Sequence, residues 1–256
     1  MTSTLRILGC SGGFGAGLRT TSFLWDDDTL IDAGTGVGDL LLEELLKIDQ
    51  IFLTHSHLDH IVSIPFLADA VGAKRKTPIT VYGLPETLKA FHEKVFHDHI
   101  WPDFTVIPSP EQPFVRLVPM QAGETISIGK RLITSVAVNH VLPAVGYLLK
   151  SDQDNCLAFS GDTTSCPTFW QLLSKTPNLK HVLVECSFRD NELKLAQLSK
   201  HYCPSLLAID LQTFSSTAQL HISHMKPGES DVVMQEINRL VPNRCTALVQ
   251  NSTLHF

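Results

Sequence analysis

LTHSHLDH, residues 53–60, places His55, His57, Asp59 and His60 directly behind the apolar run Ile51, Phe52 and Leu53. In an extended segment the i, i+2 spacing puts the rings of His55 and His57 on one side of the chain. Asp59 and His60 follow where the chain must turn into the next helical stretch. One loop can therefore aim four donor side chains into one small volume. Neutral imidazole and carboxylate suit zinc, iron or manganese better than magnesium alone. A lone histidine reads as a surface or core residue. Four such groups behind a buried strand would be costly to bury without a shared partner.

Strand-like and helix-like runs alternate outward from this stretch. Residues 4–8, 22–25, 29–31, 51–54, 79–82, 114–119, 125–128, 132–138, 145–149, 156–160, 181–185 and 219–222 read as strands, and 246–249 as a final strand. Residues 40–46, 61–71, 85–97, 169–175, 191–199, 204–212 and 231–240 read as helices, with Pro65 tolerated in a first turn. Strands in both halves with helices between them predict layered sheets and helices. Three more donors end strand-like runs: His140 after LITSVAVN, Asp162 after CLAFSG and His224 after QLHIS. Strand ends that converge on one rim would bring them to the first four.

The chain has 256 residues and is 43% hydrophobic, enough for a substantial core, with no linker-like tract or internal repeat. Its formal charge of −6 carries no domain-wide basic footprint, so no stable nucleic-acid partner is expected. The basic run Lys74, Arg75, Lys76 reads as a solvated turn. No window reaches the roughly 18 apolar residues of a membrane span. The N-terminus lacks the charged and apolar regions of a signal peptide. The six cysteines (Cys10, Cys156, Cys166, Cys186, Cys203 and Cys245) form no CxxC pair. Reduced thiols and a cytoplasmic location are expected. The glycine-rich loop 9–17 is neither G-x-x-x-x-G-K-[ST] nor G-x-G-x-x-G, and reads as a turn at the rim of the site.

The pattern resembles the metallo-β-lactamase superfamily of binuclear hydrolases from Leu5 to about Gly228. The resemblance implies an α/β fold, an αββα four-layer sandwich, as one domain over residues 1–256. It implies a first metal on His55, His57 and His140, a second on Asp59, His60 and His224, and Asp162 bridging them. Two divalent ions are thus expected, zinc first, with iron or manganese also compatible.

HSHLDHIVSIPFL is similar to the pattern of class II cyclic-nucleotide phosphodiesterases, with Ser63 where glycine is common. HIWPDF, VECSF and HISHMKPG point the same way. HYCP stands where that family has His, a hydrophobic residue, Ser or Thr, then Pro, and Cys203 departs from it. The activity implied is hydrolysis of 3′,5′-cyclic nucleotides, cAMP or cGMP, to 5′-monophosphates. Two ions about 3.5–4 Å apart would hold a bridging hydroxide for in-line attack. His201 is the implied general acid, with a helix-cap histidine as the plainer reading. Asp59 would orient the nucleophile while it ligates. Glu185 would support a ligand or serve as a buried structural carboxylate, and Trp101 would stack a base, pack in the core or lie at a subunit contact. The resemblance also implies a homodimer. An RNA 3′-end endonuclease of the same fold would use the same seven ligands with a basic arm, for which no insertion is visible. The pattern is also compatible with a thioester or lactam hydrolase, or with a metal-binding module that turns nothing over.

Overall fold

The computed structural model describes residues 2–256. Two seven-stranded mixed sheets lie face to face. The first runs, in spatial order, Thr253–His255, Thr4–Gly9, Ser22–Trp25, Thr29–Ile31, Gln50–Phe52, Ile79–Gly83 and Val115–Pro119. The second runs Cys245–Ala247, Gln219–Ser223, Leu179–Glu185, Cys156–Phe159, Val145–Lys150, Arg131–Ala137 and Thr125–Ile128. In each sheet an antiparallel part passes into a parallel part. The change falls at Thr29–Ile31 in the first sheet and at Cys156–Phe159 in the second.

Period-2 alternation assigns the side chains to layers. Ile7, Phe23, Trp25, Ile31 and Phe52 of the first sheet meet Val145, Tyr147, Leu149, Leu157 and Phe159 of the second in a shared core. The outer face of the second sheet packs Val182, Val184 and Ile222 against Trp170, Leu207 and Val233 of the helices Pro167–Ser174, Pro204–Leu211 and Ser230–Leu240. The outer face of the first packs Leu30, Ile51 and Val81 against Leu67 and Phe91 of Ser63–Val71 and Pro85–Lys94. The result is the αββα order. Each fully buried Phe or Leu contributes roughly 1.5–3 kcal/mol.

The two sheets are fastened where the histidine loop begins. The Phe52 ring stacks on Tyr82 with centroids 4.6 Å apart and meets Tyr147 edge-on at 5.9 Å. The buried Tyr147 hydroxyl donates to the Leu53 carbonyl at 2.6 Å. This bond crosses between the sheets immediately before the ligand loop and fixes its point of departure.

Four expectations are corrected. The helix expected over 40–46 shrinks to Leu42–Leu45, preceded by a 3-10 turn Thr35–Asp39. That turn packs on the backbone of Leu8 so closely that a Cβ at Gly36 would lie 2.5 Å from it. The helix expected over 85–97 ends at Lys94, because the chain turns back to pair Phe96 with Trp101. The last strand is not 246–249. Cys245–Ala247 edges the second sheet, and the chain then crosses to the first, where Thr253–His255 pairs with Thr4–Arg6. Arg75 is not a solvated charge, since its buried side chain donates to the Leu46 carbonyl and pairs with Asp49.

Candidate metal centre

The seven donors come from separate elements that all end on the same rim of the sandwich. His55 and His57 follow Gln50–Phe52, whereas Asp59 and His60 lie inside the short helix Leu58–Ile61. His140 follows Arg131–Ala137, Asp162 follows Cys156–Phe159, and His224 follows Gln219–Ser223. His224 has φ +59, a left-handed backbone unusual for a non-glycine residue and typical of a functionally constrained position.

The geometry separates them into two groups with a shared carboxylate. His55, His57, His140 and Asp162 each offer one donor atom, and so do Asp59, His60 and His224; within a group these atoms lie within 4.8 Å of one another. His55 Nε2 stands 2.9 Å from His57 Nδ1, and His140 Nε2 stands 3.3 Å from the same atom. His60 Nε2 and His224 Nε2 are 3.3 Å apart, and Asp59 Oδ2 is 3.3 Å from His224 Nε2. Asp162 spans both groups. Its Oδ2 is 3.6 Å from His55 Nε2 and 3.5 Å from His60 Nε2, and its Oδ1 is 3.4 Å from His224 Nε2.

These residues fit a pair of divalent ions. Asp162 is 2% exposed, yet its Oδ1 accepts no hydrogen bond among the described residues. An ionised carboxylate oxygen left so at the convergence of five imidazoles calls for a cation. Burial holds His55 well below the usual histidine range, and it lowers His57 and His140 too. These rings are thus kept in the neutral form that ligates. Burial alone would raise the Asp162 carboxyl, but His224 and His60 hold it well below the carboxylate range.

The outward nitrogen of four of these rings has a partner that assigns its proton; His57 differs, turning Nδ1 toward His55 and His140. Asp32, fully buried, accepts from the Thr54 backbone N–H at 2.8 Å, the Thr54 hydroxyl at 2.8 Å and His60 Nδ1 at 2.7 Å. The Thr54 hydroxyl, having donated to Asp32, is left to accept from His55 Nδ1 at 3.0 Å. His140 Nδ1 donates to the Lys200 carbonyl at 3.2 Å, and His224 Nδ1 donates to Ser187 Oγ at 3.0 Å. His55, His140 and His224 therefore turn a bare Nε2 inward, the arrangement that orients a metal-binding histidine. Burial lowers the pKa of His60, but Asp162 and Asp32 outweigh it and raise it well above the ordinary value, so an ion would have to displace the proton on its inward Nε2. Asp32, Thr54 and Ser187 were missed in the sequence. The signal for Asp32 was present, a carboxylate ending the buried strand-like run TLID just before Ala33 and Gly34.

His201 sits between the two groups. Its ring centroid is 5.0 Å from His140 and 5.6 Å from His224, against which it stacks. Its Nδ1 donates to Glu185 Oε1 at 2.6 Å. One of its ring nitrogens lies within 4.8 Å of donor atoms of Asp162 and His224. Burial pulls its pKa down, but the charge and hydrogen bond of Glu185 outweigh this and raise it. Glu185 is fully buried and also accepts from the Thr163 backbone N–H and the Ser187 hydroxyl. Glu185 combines both readings: it is a fully buried carboxylate that accepts from the backbone N–H groups of Thr163 and Ser187, and it touches the ligand-type His224 only through the Ser187 hydroxyl. His201 is buried rather than a surface cap. Trp101 packs edge-on against Phe66, centroids 4.9 Å apart, as a packing residue. The glycine-rich loop does form the rim: a Cβ at Gly12 would lie 2.3 Å from the His224 carbonyl oxygen.

Comparison with known proteins gives the family and the fold. The sequence model of the family described as "Beta-lactamase superfamily domain" matches residues 28–245. The chain is 25% identical over 235 residues to 3′,5′-cyclic-nucleotide phosphodiesterase 1 of Saccharomyces cerevisiae, covering 77% of this chain and 63% of that protein. It is 29% identical over 136 residues to ribonuclease BN of Citrobacter koseri, covering 51% of this chain and 40% of that protein. The chain thus spans less than two thirds of either relative. The crystal structure of unliganded yeast PDE1 superposes with a TM-score of 0.83 at 19% identity, covering 100% of this chain and 99% of that one.

Proposed function

The chain belongs to the β-lactamase superfamily as a hydrolase of the metallo-β-lactamase fold, and from that premise we propose that it hydrolyses 3′,5′-cyclic nucleotides to 5′-monophosphates. The observation that carries the reading is the placement of His201. A proton donor anchored on a buried carboxylate stands between two groups of metal-type donors. Phosphodiester cleavage needs that combination, since the leaving alkoxide must be protonated. The yeast phosphodiesterase, aligned over most of this chain, supports the same substrate class.

Divalent ions, zinc above all for a histidine-rich set, would be held by His55, His57 and His140 on one side and Asp59, His60 and His224 on the other, with Asp162 between. They would supply Lewis acidity that polarises a phosphoryl oxygen and makes water nucleophilic at neutral pH. The chain's own groups do the rest. Asp59 turns Oδ2 toward His60 and His224. Its other oxygen, on a side chain 33% exposed, faces no partner among the described residues. It can accept a hydrogen bond from the attacking water and orient it toward phosphorus. His201, its Nδ1–H held by Glu185, presents Nε2–H for the departing 3′ oxygen. The P–O3′ bond breaks as the bond from phosphorus to the water oxygen forms. His201 gives its Nε2 proton to the 3′ oxygen, and the proton released by the attacking water passes to solvent, from which His201 is reprotonated, leaving a 5′-monophosphate.

One observation favours a second reading, RNA 3′-end cleavage: the similarity to ribonuclease BN. Parallel assays with 3′,5′-cAMP, 3′,5′-cGMP and a tRNA precursor decide between them. Release of 5′-AMP or 5′-GMP supports the cyclic-nucleotide reading. Cleavage of the precursor alone overturns it.

A further inference from the structure

Two lysines at the mouth of the site are not used by the chemistry above. Lys200 ends the helix Leu193–Ser199 in left-handed backbone, φ +53, directly before His201. Lys226 follows His224 by two residues. Both are half-buried. Lys200 Nζ donates to the His140 carbonyl at 3.1 Å. Lys226 Nζ donates to the Gly12 carbonyl at 2.9 Å, beside His224, and lies 5.8 Å from the Phe188 ring. That ring in turn packs 5.7 Å from His201. Each ammonium is thus tethered to the wall of the centre by a neutral carbonyl. Neither has a carboxylate partner among the described residues, because Asp59, Asp162 and Glu185 are all turned toward histidines. An ammonium has three donors, so each lysine keeps two donors and its full charge for something else. On a chain of net charge −6, two cations without carboxylate partners, held on the backbone beside His140 and His224, are set to receive an anion.

We propose that Lys200 and Lys226 form a clamp that holds phosphate charge on either side of His201. The ligand class is a phosphoryl group, in the diester substrate and more tightly in the dianionic monoester product. This deepens the phosphodiesterase reading and rests on it. It gives the site a means of preferring phosphorylated substrates over neutral esters, thioesters and lactams.

The test is calorimetric titration of the metal-loaded chain with inorganic phosphate, using wild type, Lys200→Met, Lys226→Met and the double variant. Lys226→Arg serves as the conservative change and exposed Lys74→Met as the charge control. Removing a charge-assisted hydrogen bond should weaken phosphate binding about tenfold per lysine and about a hundredfold in the double variant. Lys226→Arg and Lys74→Met should stay near wild type, and metal content should be unchanged throughout. Wild-type affinity in Lys200→Met and Lys226→Met overturns the clamp. So does an equal loss in Lys74→Met, or a loss that tracks metal content. The outcomes separate from those of the functional reading. Cyclic-nucleotide hydrolysis with lysine-independent phosphate binding overturns the clamp alone. Lysine-dependent phosphate binding without cyclic-nucleotide turnover supports the clamp and overturns the substrate.

Discussion

Replacing Asp32 by Asn should cripple metal binding while leaving the fold intact. Asn is nearly isosteric and tolerates the left-handed backbone of Asp32, φ +55. Its amide has only one workable orientation. The carbonyl must take the place of Oδ1, which accepts from the Thr54 backbone N–H at 2.8 Å. The NH2 then stands where Oδ2 accepted from Thr54 and His60. To pair with that NH2, His60 must give up its Nδ1 proton and carry it on Nε2, facing the centre. The Thr54 hydroxyl must likewise become an acceptor and turn its own proton toward His55 Nδ1. That moves the His55 proton to Nε2 as well. One ligand in each group is then blocked. Loss of such an orienting partner lowers metal affinity about 10–100-fold, or about 1.4–2.7 kcal/mol. Competition with a chromophoric chelator measures this, with ions per chain counted by mass spectrometry. Thr54→Ser, which keeps the hydroxyl, should bind as wild type does. Two ions bound to Asp32→Asn with wild-type affinity would refute the proton assignment.

Further outcomes are expected elsewhere. His201→Gln should lower kcat for a cyclic nucleotide by about 10²–10⁴. It should barely affect bis-p-nitrophenyl phosphate, whose leaving group needs no proton, and steady-state kinetics on the two substrates reads the contrast. Gly12→Ala would put a Cβ 2.3 Å from the His224 carbonyl oxygen and 2.9 Å from its Nδ1. It should cost about 1–3 kcal/mol in urea unfolding and weaken the second ion. In the second sheet, His181 Nδ1 and His221 Nε2 face each other at 3.1 Å and can share only one proton. Burial and His181 bring the pKa of His221 down to about 4 from an ordinary value of 6.5. The unfolded chain therefore takes up a proton that the folded chain refuses. This contribution is complete above about pH 6.5 and is lost as the pH falls toward 4. Discounted for solvent screening, it is about 1–2 kcal/mol. His221→Asn should flatten the dependence of the urea midpoint between pH 7 and pH 5.

The inner ring of the site was legible in the sequence because strand ends carry their own punctuation. His140, Asp162 and His224 each close an apolar run, and the loop 53–60 declares itself by density. What surrounds them was less visible. Ser187 is one serine among many until folding sets its hydroxyl between Glu185 and His224. Thr54 reads as a strand residue until its side chain joins Asp32 to His55. Pairing between chain ends was hidden for a similar reason: Thr253–His255 is too short to show a period, and its place beside Thr4–Arg6 depends on a crossover between sheets. The layering, by contrast, follows from the alternation that places Tyr147 and Leu149 inward and Leu148 outward.

The most direct test follows cleavage of 3′,5′-cAMP by metal-counted wild type beside Asp162→Ala. Wild type should carry two ions and release 5′-AMP, with both lost when the bridging carboxylate is removed. A chain that carries two ions and leaves cyclic nucleotides intact, or an Asp162→Ala variant that turns over as wild type does, would contradict the binuclear phosphodiesterase reading.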